Sequence, residues 1–233
     1  MQIITNNIFP PSAISKLKNY GEVVLLETSG IVYDAISKHP DIFFCPLGEE
    51  LIAAPNLPDI YKNILSKKKI SFHEGNKTLG NKYPSTAFYN AVTTENFLIG
   101  NTKIMDKAIL QKAENRKVIH VNQAYTRCNL LPLPNNKFIT SDRGIYKELR
   151  KEELEVLFVN PEGILLDGFK NGFFGGCCGV SDNNVFIAGS LNHFPEGEKV
   201  REFLKDFEII ELYDGSLLDV GSILFNNYGE VFE

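Results

Sequence analysis

The sequence predicts an α/β protein built as a five-fold pseudo-symmetric ring, an α/β propeller, in a single domain over residues 1–233. Three observations predict it. First, short apolar segments of one pattern recur: Ile3-Ile4-Thr5-Asn6-Asn7, Leu51-Ile52-Ala53-Ala54-Pro55, Phe97-Leu98-Ile99-Gly100-Asn101, Phe138-Ile139-Thr140-Ser141-Asp142 and Phe186-Ile187-Ala188-Gly189-Ser190. Their starts lie 41 to 48 residues apart, close to one fifth of the 233 residues, as in a repeat architecture. Second, each is preceded by a strand and a turn and followed by a helix and a strand. The unit is therefore strand, turn, strand, helix, strand. Third, one unit is split: its first strand lies near residues 219–225 and the remainder at residues 2–27. If the ends complete one unit, the ring closes by strand pairing and hides the edge that an open array would expose.

The elements follow in order. The segment at residues 3–7 leads to a helix over 11–20 and a strand over 22–27, and residues 29–38 add a short helical piece. The next unit has a strand over 41–47, the turn Gly48-Glu49-Glu50, a helix over 58–68 carried by Ile60, Ile64 and Leu65, and a strand over 69–73. The third has a strand over 87–92, a helix over 104–114 and a strand over 117–121. The fourth has a strand over 128–133, the turn Pro134-Asn135-Asn136, a helix over 144–153 and a strand over 155–159. The fifth has a strand over 176–180, a turn at 181–184, a helix over 197–206 and a strand over 208–212. Val200, Phe203, Leu204 and Phe207 give that helix an i, i+3, i+4, i+7 stripe. The last strand, 219–225, runs into Asn226-Asn227-Tyr228-Gly229. Asn and Gly suit hairpin turns, and the third strands are rich in Val, Ile, Leu and Phe. Residues 76–85 and 161–171 are polar and Gly/Pro-bearing, and read as loops covering an opening of the ring.

Composition narrows the function classes. Apolar residues make up 43% and the formal net charge is −5, so a nucleic-acid protein with a basic surplus is not expected. No apolar run reaches the length of a membrane span, and the first residues lack the pattern of a signal peptide. Four cysteines form no disulfide scaffold, which points to a reducing, cytoplasmic location. There is no CxxC, HExxH, GxSxG or GxGxxG motif, so neither a metal nor an organic cofactor is expected.

Counting back ten residues from each apolar segment reaches Asp41, Ala87, Cys128 and Gly176, with Asp219 at the matching place in the split unit. In a ring these positions converge near the axis, where unlike side chains from separate units meet. His39-Pro40-Asp41 puts an imidazole and a carboxylate two apart, which on a strand point the same way. The ordinary alternative for His39 is a surface-loop residue, and for Cys128 an inert buried thiol. Arg127 beside Cys128 lowers a thiol pKa only if it lies close, and neighbours on a strand point apart. Cys45, Cys177 and Cys178 read as packing residues, and Gly175-Gly176 as a place where a ligand or backbone approaches closely. His120 alternates with Ile119 and Val121, so it either reaches the central region or is a satisfied structural histidine; His193 reads as exposed.

These residues resemble a known superfamily. The five-fold ring looks like the pentein, or guanidino-group-modifying enzyme (GME), fold, which includes arginine and agmatine deiminases, dimethylarginine hydrolases and amidinotransferases. Closer still is the resemblance to the GME-fold family DUF6873. It rests on Gln123-Ala124-Tyr125-Thr126-Arg127-Cys128-Asn129, Gly172-Phe173-Phe174-Gly175-Gly176 and Asp219-Val220-Gly221-Ser222, and covers essentially the whole chain. The resemblance implies that His39-Pro40-Asp41 is the superfamily's His-x-Asp pair and that Cys128, two units on, is its nucleophile. It also implies that Asp219 stands where the guanidine-binding Glu would be, with Ser222 in place of an Asp. Tyr125, Asn129, Gly176 and Ser222 are the implied substrate-binding residues. One place departs from the pattern. Where the enzymes carry an acidic residue in the unit after the cysteine, this chain has Gly175-Gly176.

Two functions are expected on this basis. One is a cysteine-dependent hydrolase or transferase acting on a guanidine-, amidine- or amide-type C–N bond. There Cys128 attacks, His39 protonates the leaving amine, and Asp41 and Asp219 hold the cationic part of a small polar or cationic nitrogen compound. The other is a non-catalytic ring that binds a small molecule or a protein, with a vestigial site.

Overall fold

The computed structural model describes residues 1–113 and 115–226. Its elements are β1 (Gln2–Asn6), α1 (Pro11–Leu17), β2 (Glu22–Leu26), α2 (Pro40–Phe43), β3 (Phe44–Leu47), β4 (Glu50–Ala53), α3 (Asp59–Lys67) and β5 (Phe72–Glu74). There follow β6 (Val92–Thr93), β7 (Phe97–Gly100), α4 (Lys107–Lys112), β8 (Lys117–His120), α5 (Thr126–Asn129), β9 (Leu130–Leu133), β10 (Lys137–Thr140), α6 (Arg143–Lys151) and β11 (Glu155–Phe158). The rest are β12 (Cys178–Ser181), β13 (Asn184–Ile187), α7 (Gly197–Phe203), β14 (Glu208–Glu211) and β15 (Leu224–Asn226).

The strands form five separate three-stranded sheets, β15-β1-β2, β3-β4-β5, β6-β7-β8, β9-β10-β11 and β12-β13-β14. Each has an antiparallel first pair and a parallel second pair. A helix lies in the crossover between the parallel strands, the connection such pairs need. Left-handed residues sit at the hairpin turns, where Gly48 (φ 65°), Asn135 (φ 60°), Asn136 (φ 57°) and Asp182 (φ 52°) reverse the chain. Asp142 caps α6 by accepting from the Ile145 amide at 2.8 Å, and Asp106 caps α4 from the Ala108 amide at 2.8 Å. The first strands pack on one another, β15 on β12, β12 on β9, β9 on β6 and β6 on β3.

The split unit is present. Ile3 pairs with Phe225 and Ile4 with Leu224, and Asn226 Nδ2 reaches the Glu49 carbonyl at 2.9 Å in the next sheet. The pairing is narrower than residues 219–225 against 2–6: only 224–226 pair, with 2–4. The expected turn residues Asn227, Tyr228 and Gly229 lie outside the described residues.

Two expectations need correction. Ile60 does not belong to the buried stripe of α3; it is 64% exposed, and Leu65 with the partly buried Tyr61 and Ile64 make the inward face instead. The first strands also begin later than their apolar patterns suggest, at residues 44, 92, 130, 178 and 224 rather than 41, 87, 128, 176 and 219. The residues ahead of three of them wind into a helical turn: α2, α5 and a 3-10 turn at Gly175–Cys177. Pro40 at the start of α2 has the φ a helix needs, and its missing N–H costs nothing there.

The ends of the middle strands set which residues are equivalent: the carbonyls of Ala53, Gly100, Thr140 and Ile187 each accept from the amide just after the third strand. The first strand residues Phe44, Val92, Leu130, Cys178 and Leu224 pair with Ala53, Ile99, Thr140, Ile187 and Ile4. Two residues upstream stand Ile42, Asn90, Cys128, Gly176 and Ser222. Ile99 lies one residue before Gly100, so Val92 matches Leu131 and Asn90 matches Asn129; Cys128 and Gly176 share one position, while Asp41 is one residue and Ala87 two residues out of phase with it.

Candidate active site

Cys128, His39 and Asp219 line one cavity of about 100 Å³, together with Tyr125. The rest of its wall is Tyr33, Ile36, Leu166, Phe169 and Phe173. His39 is the residue just before α2 and Cys128 lies within α5, so the helical turns ahead of β3 and β9 aim both side chains. Asp219 comes from the segment before β15, held by a parallel bridge between Leu165 and Leu218. That bridge also brings the loop bearing Leu166 and Phe169 over the cavity, as expected for residues 161–171.

His39-Pro40-Asp41 is not part of a strand, so its two side chains do not share a direction. Successive helical residues turn by about 100°, so residues two apart diverge. Asp41 goes behind the cavity wall and is fully buried. Its Oδ2 accepts from the Cys128 thiol at 3.2 Å and from the Ser222 hydroxyl at 2.6 Å, while Oδ1 has no hydrogen-bond partner. Asn90 Nδ2 donates to Cys128 Sγ at 3.1 Å and to the Asp41 carbonyl at 2.9 Å. Its Oδ1 accepts from the Arg127 amide at 2.7 Å and the Cys128 amide at 3.2 Å.

The electrostatics oppose a resting thiolate. Burial pushes the Cys128 thiol well above its ordinary value, and the charges of Asp41 and Asp219 add to this, while the Asn90 hydrogen bond opposes it. Burial also pushes the Asp219 carboxyl up, to about 6; the nearby His39 and the Gly221 and Phe173 amides pull it down, and Asp41 pushes it further up. Asp219 Oδ2 accepts from the Phe173 amide at 2.9 Å and Oδ1 from the Gly221 amide at 3.0 Å. His39 Nδ1 stands 3.8 Å from Asp219 Oδ1, too far for a hydrogen bond, and this buried nitrogen has no other partner.

Four of the expected site residues lie behind the cavity wall. Besides Asp41, Ser222 is fully buried and serves the Asp41 carboxylate. Asn129 bonds the Tyr125 carbonyl at 2.9 Å and Ser141 at 3.1 Å, and so braces α5. Gly176 has no side chain because the Asp219 carboxylate fills that space; a Cβ there would collide with it. The glycine pair that seemed to remove a carboxylate thus makes room for one from another unit. Asn90, Tyr33, Phe169 and Phe173 were not singled out in the sequence. Asn90 stands at the register position of Asn129, so the repeat does not mark it as the thiol's partner. Phe173 lies in the Gly172–Gly176 motif without a role assigned to it there, and nothing in the local pattern marks Tyr33 or Phe169.

The other candidates lie elsewhere. Arg127 is buried and donates to the Gly175 carbonyl at 2.9 Å and the Cys178 carbonyl at 3.1 Å. It lines a separate cavity of about 120 Å³ beside Ala91, Pro132 and Val180. Cys45, Cys177 and Cys178 are buried in the core. His120 does not reach the centre, because its Nδ1 is engaged by the Thr102 hydroxyl at 2.8 Å. His193 is 46% exposed beside Asp214. Among the described residues no group of three or more His, Cys, Asp or Glu could hold a metal ion. Nor is any described helix long and apolar enough to cross a membrane.

Several solved structures share this fold. An amidinotransferase, SxtG, from Microseira wollei in the saxitoxin biosynthetic pathway superposes with a TM-score of 0.59 at 12% identity, covering 100% of this chain and 96% of its own. DDAH from Pseudomonas aeruginosa, complexed with citrulline, gives 0.53 at 11% identity, covering 90% of this chain and 91% of its own. The agmatine deiminase of C. jejuni gives 0.52 at 12% identity, covering 93% and 78%. At such identities the likeness is one of fold: a mixed α/β, pentein-type arrangement of five small sheets. No curated protein matches the chain in sequence. The model of one family does match, over residues 4–224, and with nearly the whole length aligned the chain belongs to DUF6873, a family of unknown function.

Proposed function

We propose that the protein is a cysteine-dependent hydrolase or transferase acting on a C–N bond of a small guanidine, amidine or amide. Its site would lie at the hub of a five-bladed α/β propeller formed by the whole chain as one domain. The observation that carries this reading is the meeting of Cys128, His39 and Asp219, from three different units, in one cavity. The DDAH structure that shares the fold holds citrulline, which accords with a small nitrogen-rich ligand here. Four free thiols accord with a cytoplasmic setting.

The geometry suggests how protons move. Cys128 Sγ bonds the central carbon of the ligand while its proton passes to Asp41 Oδ2, 3.2 Å away. A protonated His39, countered by Asp219, gives its proton to the departing amine as the C–N bond breaks. Water then attacks the same carbon and His39 takes up its proton. The S–C bond breaks and Asp41 returns the proton to sulfur. A cationic ligand offsets the charges that hold the thiol protonated, so attack is favoured when the site is filled.

A second reading is a non-catalytic binding ring, favoured by the burial and protonated resting state of Cys128. Guanidines, ureido compounds and small amides assayed for ammonia or amine release, with wild-type and C128A protein in parallel, separate the two. Release that falls by about a thousandfold or more in C128A supports the enzyme, since loss of a nucleophile removes a covalent path. Equal binding to both proteins without release by either replaces it with the binding ring.

A further inference from the structure

We propose that the ligand of this cavity carries a cationic nitrogen head on an apolar body and no carboxylate: an alkyl- or arylamidine or -guanidine rather than a guanidino- or amidino-carboxylate. This rests on the cavity being the ligand site, as proposed above, but not on chemistry at Cys128.

The head group is specified by the buried polar atoms. Asp219 is 1% exposed and lines the cavity, and His39 Nδ1, in a side chain 2% exposed, is left without a hydrogen bond. A buried polar atom without a partner is costly, and a polar group of the ligand or a bound water would satisfy it. The remaining wall is largely aromatic: Tyr33, Tyr125, Phe169 and Phe173. Ring faces attract cations and bury apolar carbon, so such walls with one carboxylate suit an amidinium on an alkyl or aryl group.

The absence of a carboxylate is specified by what surrounds the opening. Among the described residues no arginine or lysine lines the cavity. A groove of about 610 Å³ adjoins it, sharing Leu166 and Asp219. That groove is lined by Glu27, Asp34 and Asp167, and its one lysine, Lys38, is already paired with Glu27 at 3.6 Å. The cavity itself is small, about 100 Å³. A longer ligand extends past Leu166 and Asp219 into the groove, and a carboxylate on it would meet Asp34 and Asp167 with Asp219 behind. Each like charge at about 8 Å in a water-like dielectric weakens binding roughly twofold, so three together cost roughly tenfold.

The test uses matched pairs differing by one carboxylate: butylguanidine against 5-guanidinopentanoate, and benzamidine against 4-amidinobenzoate. Binding to Cys128→Ser protein is followed by calorimetry, so that ligands stay intact. The expected result is that the carboxylate-free member binds at least about tenfold tighter in both pairs, and that salt narrows the gap. Phe169→Ala, at an exposed position that leaves the core untouched, should weaken the carboxylate-free ligands about threefold or more. Equal or tighter binding of 5-guanidinopentanoate or 4-amidinobenzoate overturns the proposal, and so does failure of all four to bind. Turnover by wild-type protein is scored separately. Carboxylate-free ligands that bind but never react sink the enzyme and leave this inference standing. Preferential turnover of 5-guanidinopentanoate over butylguanidine does the reverse.

Discussion

At Cys128 two hydrogen bonds of opposite effect meet in a buried place. Accepting from the thiol, Asp41 keeps the proton on sulfur, while Asn90 donates to sulfur and favours the thiolate. Their removal should therefore move the thiol in opposite directions. In Asn90→Ala the alkylation pH profile of Cys128 should shift up by about one unit, the worth of roughly one hydrogen bond to a charged group. Asp41→Asn should shift it down, because a neutral amide replaces the charge. Iodoacetamide labelling between pH 6 and 10, read by peptide mass spectrometry, checks both, and shifts of the same sign would contradict this account of the site. At Asp219 the folded-state value of about 6 lies above the ordinary 3.8. The native protein then binds more protons than the unfolded chain between those values, so this group's contribution to stability falls as pH rises from about 4 to 6 and is level above. Over that window it costs on the order of 2–3 kcal/mol, and chemical denaturation of Asp219→Asn should lack this slope. The same titration gives ligand binding the opposite trend. Cations should bind more tightly as pH rises from 5 to 7 and the carboxylate ionises.

Each functional side chain is delivered by a short element that sequence patterns describe poorly. The helices and third strands are legible because an apolar stripe or a β-branched run sets them. For instance, α6 needs only Asp142 at its cap and buried Ile145 and Leu149 on one face. The pieces before the first strands are buried on all sides, so Asp41 to Phe44 show no alternation that separates a helical turn from a strand. That is why the residues ahead of β3 and β9 read as strand while the chain winds a turn there. Glycines show how tight these pieces are. Gly221 (φ 69°) carries the chain past His39, and Gly176 lies directly against the Asp219 carboxylate. Gly176→Ala should cost at least about 2 kcal/mol of stability, because either the carboxylate or the Gly175–Cys177 turn must move. Urea titration checks the loss. Calorimetry with benzamidine should show weaker binding even where the variant is fully folded.

For the whole molecule the join between the ends matters most. Ile3 and Ile4 are fully or almost fully buried, and β15 pairs with β1 across the full length of the chain. Deleting the last 15 residues, from Asp219 onward, removes β15 with Val220, Ile223 and Leu224 and bares the backbone of β1. Burial of those three side chains is worth about 1.5–3 kcal/mol each, comparable in sum with the stability of an ordinary domain. The truncated protein should therefore lose its cooperative melt by circular dichroism; an unchanged melt would show that β15 is dispensable. The sequence by itself determined the repeat of about 47 residues, the order of elements in each unit, the split unit and the residue types offered to the centre. These follow from local periodicity, turn chemistry and the spacing of similar segments. Only the tertiary structure decided that Cys128, His39 and Asp219 share a cavity, that Asp41, Asn129, Gly176 and Ser222 lie behind it, and that Asn90 is the partner of the thiol. A one-residue change of phase or a single helical turn redirects a side chain by 100° or more, and that phase is set by packing between units far apart in the chain.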